Sequence, residues 1–188
     1  MGTSLDDPRL HRPACEGLVP VRPVVSTPWF EVNDRGGHFS VECRQLQVAV
    51  LPIVAGESVV LARVRRPLLS EATWELPGGG AMEGETTRET ARRELAEETG
   101  IRIPELERFR PLMPLCFMPR YPVLPHLFEV AVTEAEFRER GEHDGEVEGI
   151  LRLSWQEVTA SIFSGELFIS LSVAVLARHL LARNPEAR

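Results

Sequence analysis

GGAMEGETTRETARRELAEETGI, residues 79–101, places Glu94, Glu97 and Glu98 within little more than one turn of a predicted helix, directly behind a glycine-rich loop. Positions i, i+3 and i+4 share a helical face, where like charges repel by about 0.2–0.5 kcal/mol per pair. A hard divalent cation relieves that repulsion. Mg2+ in particular is held by one or two carboxylates while substrate phosphates complete its shell. The competing reading is a solvated acidic face paired with neighbouring arginines. The helix itself is bounded by local signals: Thr86 and Glu89 have the spacing of a capping box, and Gly100 stands where a glycine ends a helix, which predicts a helix over 87–99. Only Ala91, Leu95 and the threonines offer it an inward face, so its polarity points to a task beside packing.

Outward from this helix the chain alternates strand-like and helix-like runs. Ahead of it, VVSTPWFEV and HFSVEC flank Asn33-Asp34-Arg35-Gly36-Gly37 and predict a hairpin over 24–43. Leu46–Val54 and Val59–Val64, separated by Ala55-Gly56-Glu57-Ser58, predict a second hairpin, making four strands before the helix. After it, 108–118, 123–132 and Ile150–Leu153 read as strands, and Trp155–Phe163 and Ser170–Ala182 as helices. Residues 1–23, with four prolines among polar residues, read as a loosely ordered arm, and 44–188 as the main domain. The expected class is α/β, a mixed β-sheet flanked by helices, with the extra hairpin in front.

Composition narrows the chemistry. All 21 basic residues are arginine, so no lysine nucleophile, Schiff base or P-loop lysine exists, and any cationic phosphate clamp is an arginine. The formal net charge of −7 argues against a broad nucleic-acid-binding surface. Cys15, Cys43 and Cys116 are odd in number and far apart, which excludes a zinc-type CxxC pattern. No charged-then-apolar leader and no run of about 18 apolar residues is present, so a cytoplasmic protein without membrane partners is expected.

The order Gly79, five residues, Glu85, seven residues, Arg93-Glu94-Leu95, one residue, Glu97-Glu98, one residue, Gly100-Ile101 resembles a complete Nudix box. The resemblance implies a Nudix-type α/β/α sandwich and hydrolysis of a nucleoside diphosphate linked to some group X. Leu61–Pro67, Thr73–Gly79 and the Pro28-Trp29-Phe30 hairpin are similar to ADP-ribose and nucleotide-sugar pyrophosphatases, although Val64 and Arg65 depart from that subgroup. By this likeness Glu94 and Glu98 are the principal Mg2+ ligands, with Mn2+ as a substitute ion. Glu97 shares a second ion or orients water, and the Gly78 or Gly79 carbonyl supplies a further oxygen. Arg93 would hold Glu85 and Glu97 in ligating rotamers. The subgroup takes an acidic residue from a loop before its penultimate strand; here that loop is 141–148, and Glu146 is the expected base, ahead of Asp144 and Glu148.

Arg66 is the expected phosphate clamp, since a guanidinium fork matches phosphate oxygens, with Arg63 and Arg65 as rivals. Trp29 or Phe30 either stacks on a nucleobase or packs into core or interface. A small nucleotide substrate and a homodimer are expected, the latter from the family likeness and because the 24–43 hairpin needs cover for its apolar side. The alternatives are the same metal chemistry on a nucleoside triphosphate or dinucleotide, and a non-catalytic nucleotide-sensing module.

Overall fold

The computed structural model describes Leu5, residues 7–11 and residues 15–183. The expected arm at 1–23 falls partly on 1–4, 6 and 12–14, which lie outside the described residues. Helix α1 is a single turn, Pro8–His11.

The central layer is a six-stranded mixed sheet. Its strands β4 (Val48–Val54), β5 (Ser58–Arg66), β6 (Glu71–Glu75), β7 (Arg110–Leu112) and β8 (His126–Val132) lie in the order β6-β5-β4-β8-β7, and β9 (Val147–Ser154) pairs with β5. Strand β4 is buried at every position. Because successive side chains point to opposite faces, Val48, Val50 and Val54 enter one core with Ala91 and Leu95, while Ala49, Leu51 and Ile53 enter a second core with Val158, Val175 and Leu176. Helix α2 (Thr87–Thr99) covers the first face; α4 (Trp155–Ser164) and α5 (Ser170–Arg183) cover the second. That is the α/β/α sandwich. A short helix α3 (Glu134–Arg138) follows β8, capped by Thr133.

One departure from a simple hairpin positions the site. β4 and β5 pair only at Ile53–Val59 and Val54–Ser58. Farther along, the Val50 and Val48 N–H groups donate instead to the carbonyls of Pro77 and Gly79, at 2.8 and 2.9 Å. The glycine-rich segment is thereby laid against β4, and a Cβ on Gly78 would stand 2.3 Å from the Val48 carbonyl oxygen. Only glycine tolerates that approach.

Ahead of the sandwich is a separate antiparallel sheet, β1 (Val21–Ser26), β2 (Phe30–Arg35) and β3 (His38–Cys43). The run expected as one strand is two, because the Thr27 hydroxyl accepts from the Trp29 and Phe30 N–H groups and turns the chain. The element is therefore three-stranded, and β1 begins inside the expected arm. Six strands precede α2 rather than four. The strand expected over 108–118 shrinks to Arg110–Leu112, following a 3-10 turn at Leu106–Arg108, and β8 starts only after Pro125. Pro114, Pro119, Pro122 and Pro125 account for this, since proline donates no ladder hydrogen bond. Helix α2 spans the residues its capping box and Gly100 predicted. Among the described residues no helix is long and apolar enough to cross a membrane.

Candidate active site

Helix α2 buries Thr90, Ala91, Glu94, Leu95 and Thr99. A glutamate thus sits on the buried face of an otherwise apolar-and-threonine stripe. Its neighbour Arg93 organises the cluster. The Arg93 guanidinium donates to both Glu85 oxygens at 2.9 and 3.0 Å, to Glu94 at 2.9 Å, to Glu97 at 2.8 Å and to the Gly80 carbonyl at 2.9 Å. One arginine therefore ties the loop ahead of the helix to Glu94 and Glu97 upon it. Beside this guanidinium, and accepting the Met82 N–H, the Glu85 carboxyl is held down at about 2.

Glu98 behaves differently. Its Oε2 accepts the Gly78 N–H at 2.9 Å. Burial pushes its carboxyl up to about 8; the Gly78 bond works against that, and the charges of Glu94, Asp144 and Glu75 add to it. Burial likewise raises Glu94, against the pull of Arg93. A Cβ on Gly79 would lie 2.4–2.8 Å from the Glu94 carboxylate atoms, so the loop and the carboxylate share one cradle. Among the described residues, no three or more His, Cys, Asp or Glu side chains are gathered into a metal-holding group. Glu85, Glu94 and Glu97 face Arg93, and Glu98 faces Gly78.

Loop 141–148 is docked on the end of α2. The Gly141 N–H donates to the Gly100 carbonyl at 2.9 Å, and the Asp144 N–H to the Glu97 carbonyl at 2.7 Å. Gly100 has a φ of 71°, and a Cβ there would stand 2.1 Å from the Gly141 oxygen, so this glycine both ends the helix and admits the loop. Of the loop acids, Asp144 is half-buried and its charge reaches Glu98, whereas Glu146 and Glu148 are exposed. Glu146 donates its N–H to Asp144 Oδ1 at 3.0 Å.

Arg66 lies close enough to Glu98 to feel its charge, and its Nε and Nη2 donate to the two Glu75 oxygens at 2.7 and 2.8 Å. Arg63 lies 3.8 Å from Glu148 and 5.5 Å over the Trp74 ring. The β5–β9 register slips between Arg63 and Val64 because Glu148 is an extra residue on β9, whereas the β5–β6 register is unbroken, so Arg63 meets Trp74 on one face and Arg66 meets Glu75 on the other. Trp29 is 71 % exposed on the β1–β2 turn, and among the described residues none of its contacts joins it to the α2 carboxylates. The sequence missed Glu75. Its signal was the alternation of Thr73 and Glu75 on one face of β6, with Trp74 on the other.

The NUDIX domain model matches residues 44–168. Two relatives, each named "Putative 8-oxo-dGTP diphosphatase 2", from Mycobacterium tuberculosis strains CDC 1551 / Oshkosh and ATCC 25618 / H37Rv, are 46 % identical over 54 residues. That match covers 29 % of this chain and only 38 % of the length of either relative.

Proposed function

Since the chain belongs to the NUDIX family, we propose that it hydrolyses the pyrophosphate bond of a nucleoside diphosphate linked to a group X, using Mg2+ or Mn2+. The carrying observation is Glu98, a carboxylate raised to about 8 by burial and surrounded by further carboxylates. Such a group is ionised most easily by a bound cation.

The residues suit that ion. The charges that reach Glu98 are those of the Glu94, Asp144 and Glu75 carboxylates, and carboxylate oxygens are the donors Mg2+ and Mn2+ prefer over softer metals; the Gly79 cradle keeps backbone close to Glu94. Glu94 and Glu98, with Glu97 and the Gly78 carbonyl, would hold the ion. When bound, it supplies charge neutralisation on the diphosphate and a more acidic water. Arg93 keeps Glu94 and Glu97 oriented. Arg66 binds a phosphate oxygen, and Arg63 a second. A loop carboxylate takes the proton of the attacking water: Asp144 stands nearest Glu98, and Glu146 serves if the loop closes on substrate. The products are a nucleoside monophosphate and the phosphate of X.

As the substrate we favour ADP-ribose or a related nucleotide sugar, on the likeness of Leu61–Pro67 and Thr73–Gly79 and on the additional N-terminal sheet. Trp29 on that sheet is then the nucleobase platform. The name of the two mycobacterial relatives favours a second reading, an oxidised nucleoside triphosphate. We also propose a homodimer through the N-terminal sheet, whose strand β1 is exposed throughout and carries Val21, Val24 and Val25. Light scattering that returns a monomer at micromolar concentration refutes this.

A substrate panel containing ADP-ribose, GDP-mannose and 8-oxo-dGTP, run with Mg2+ on the parent and on Glu98→Gln, tests the assignment. Turnover in the parent and none in the variant is expected. Ligand-induced thermal stabilisation of the parent without turnover of any substrate would make it a sensor instead.

A further inference from the structure

Resting on the reading of Arg66 as the phosphate clamp, we propose that Glu75 is a positioning residue: its buried carboxylate fixes the Arg66 guanidinium so that the remaining edge faces the diphosphate. The β5–β6 register sets Arg66 opposite Glu71, yet its guanidinium reaches Glu75, four residues along the partner strand. The side chain is thus drawn along the sheet towards Leu76-Pro77-Gly78, the segment whose Gly78 N–H holds Glu98. Glu75 is itself pinned. It is 8 % exposed, and the Thr73 hydroxyl donates to its Oε1 at 2.5 Å. Arg66 is the more exposed partner, with 47 % of its side chain open against 10 % for Glu75.

Two consequences follow from that asymmetry. Glu75 cannot follow Arg66 into solvent, and losing Arg66 leaves it as an unpaired buried charge beside Glu98. The fork, made by Nε and Nη2, therefore persists when phosphate binds, and Nη1 with the outer edge of the guanidinium is left for the phosphate. A long arginine held in one rotamer before the ligand arrives loses less side-chain entropy on binding, and it delivers its charge at a fixed place.

The sign of one substitution separates this role from simple electrostatics. Removing a negative charge near an anion site tightens anion binding by Coulomb's law alone; removing the residue that aims the clamp weakens it. Imidodiphosphate binding with Mg2+, followed calorimetrically, is measured for the parent, Arg66→Gln, Glu75→Gln, the Arg66→Gln/Glu75→Gln double variant and Thr73→Val, with thermal midpoints checking folding. Glu75→Gln is expected to weaken binding about tenfold or more, as loss of an orienting partner does. The double variant is expected to bind like Arg66→Gln alone, because both changes remove one interaction. Glu75→Gln that binds as tightly as the parent, or more tightly, overturns the positioning role and leaves the clamp intact, as do additive losses in the double variant. Where Glu75→Gln fails to fold, Thr73→Val decides: weaker binding supports the role and parental binding overturns it. A parent that does not bind imidodiphosphate overturns the clamp, and Glu75's role with it.

Discussion

Replacing Glu98 by Gln isolates the charge on which the site depends. In the folded, metal-free chain its carboxyl sits at about 8 against an ordinary 4.5, so between those pH values the native state holds a proton that the unfolded state releases. Stability contributed by this group is therefore full below pH 4.5 and is lost as pH rises to about 8. At about 1.4 kcal/mol per pH unit over that window, the loss reaches about 5 kcal/mol, and water reaching the half-buried side chain reduces it to about 2–3 kcal/mol. Glutamine keeps an acceptor for the Gly78 N–H and carries no proton to lose. In a chain of this size each kcal/mol moves the melting temperature by about 2–4 °C, so at pH 9 in EDTA the variant should melt about 5–10 °C above its position relative to the parent at pH 4.5. Mg2+ should then raise the parent and leave the variant unmoved, by about 2.7 kcal/mol at a hundredfold excess over Kd. The assay is thermal melting of both proteins across pH 4.5–9, with and without the ion. Parallel curves for the two proteins in EDTA would refute the claim that Glu98 is held protonated by its surroundings.

Arg93→Gln should lower kcat/KM about 10-fold to 100-fold while the protein stays folded, because it frees Glu94 and Glu97 from their common partner; steady-state kinetics beside circular dichroism checks both halves. Gly79→Ala should abolish turnover and weaken Mn2+ binding, since its Cβ would meet the Glu94 carboxylate at 2.4 Å; paramagnetic titration of Mn2+ reads this. In the N-terminal sheet, Arg35 donates to Glu42 and holds its carboxyl at about 2, so the stability from this pair is present above pH 4.5 and lost as pH falls towards 2. Glu42→Gln should flatten that acid limb in a melt series. Leu95→Ala, at a fully buried α2 position, should cost about 2–5 kcal/mol in a urea titration.

The parts of the site that were legible in the sequence are those encoded locally. Thr86, Glu89 and Gly100 bound α2 through their own side chains and φ, and the spacing of Arg93, Glu94, Glu97 and Glu98 needs no partner outside one helix. The elements that were missed are short or set by contacts. β6 and α3 have five residues each, too few for a period to show. The break at Thr27 depends on one hydroxyl accepting from two N–H groups, which composition does not reveal. Glu75 belongs to the site through a fork nine residues back in the chain, across a hairpin whose register the sequence left open.

The central claim, that Glu94 and Glu98 hold a divalent ion against a substrate diphosphate, is tested most directly by crystals soaked in Mn2+ and a non-hydrolysable nucleotide, with data collected at the manganese edge. An anomalous peak bonded to both carboxylates and to a phosphate oxygen is the expected result. Nucleotide bound with no peak at Glu94 and Glu98 would contradict it.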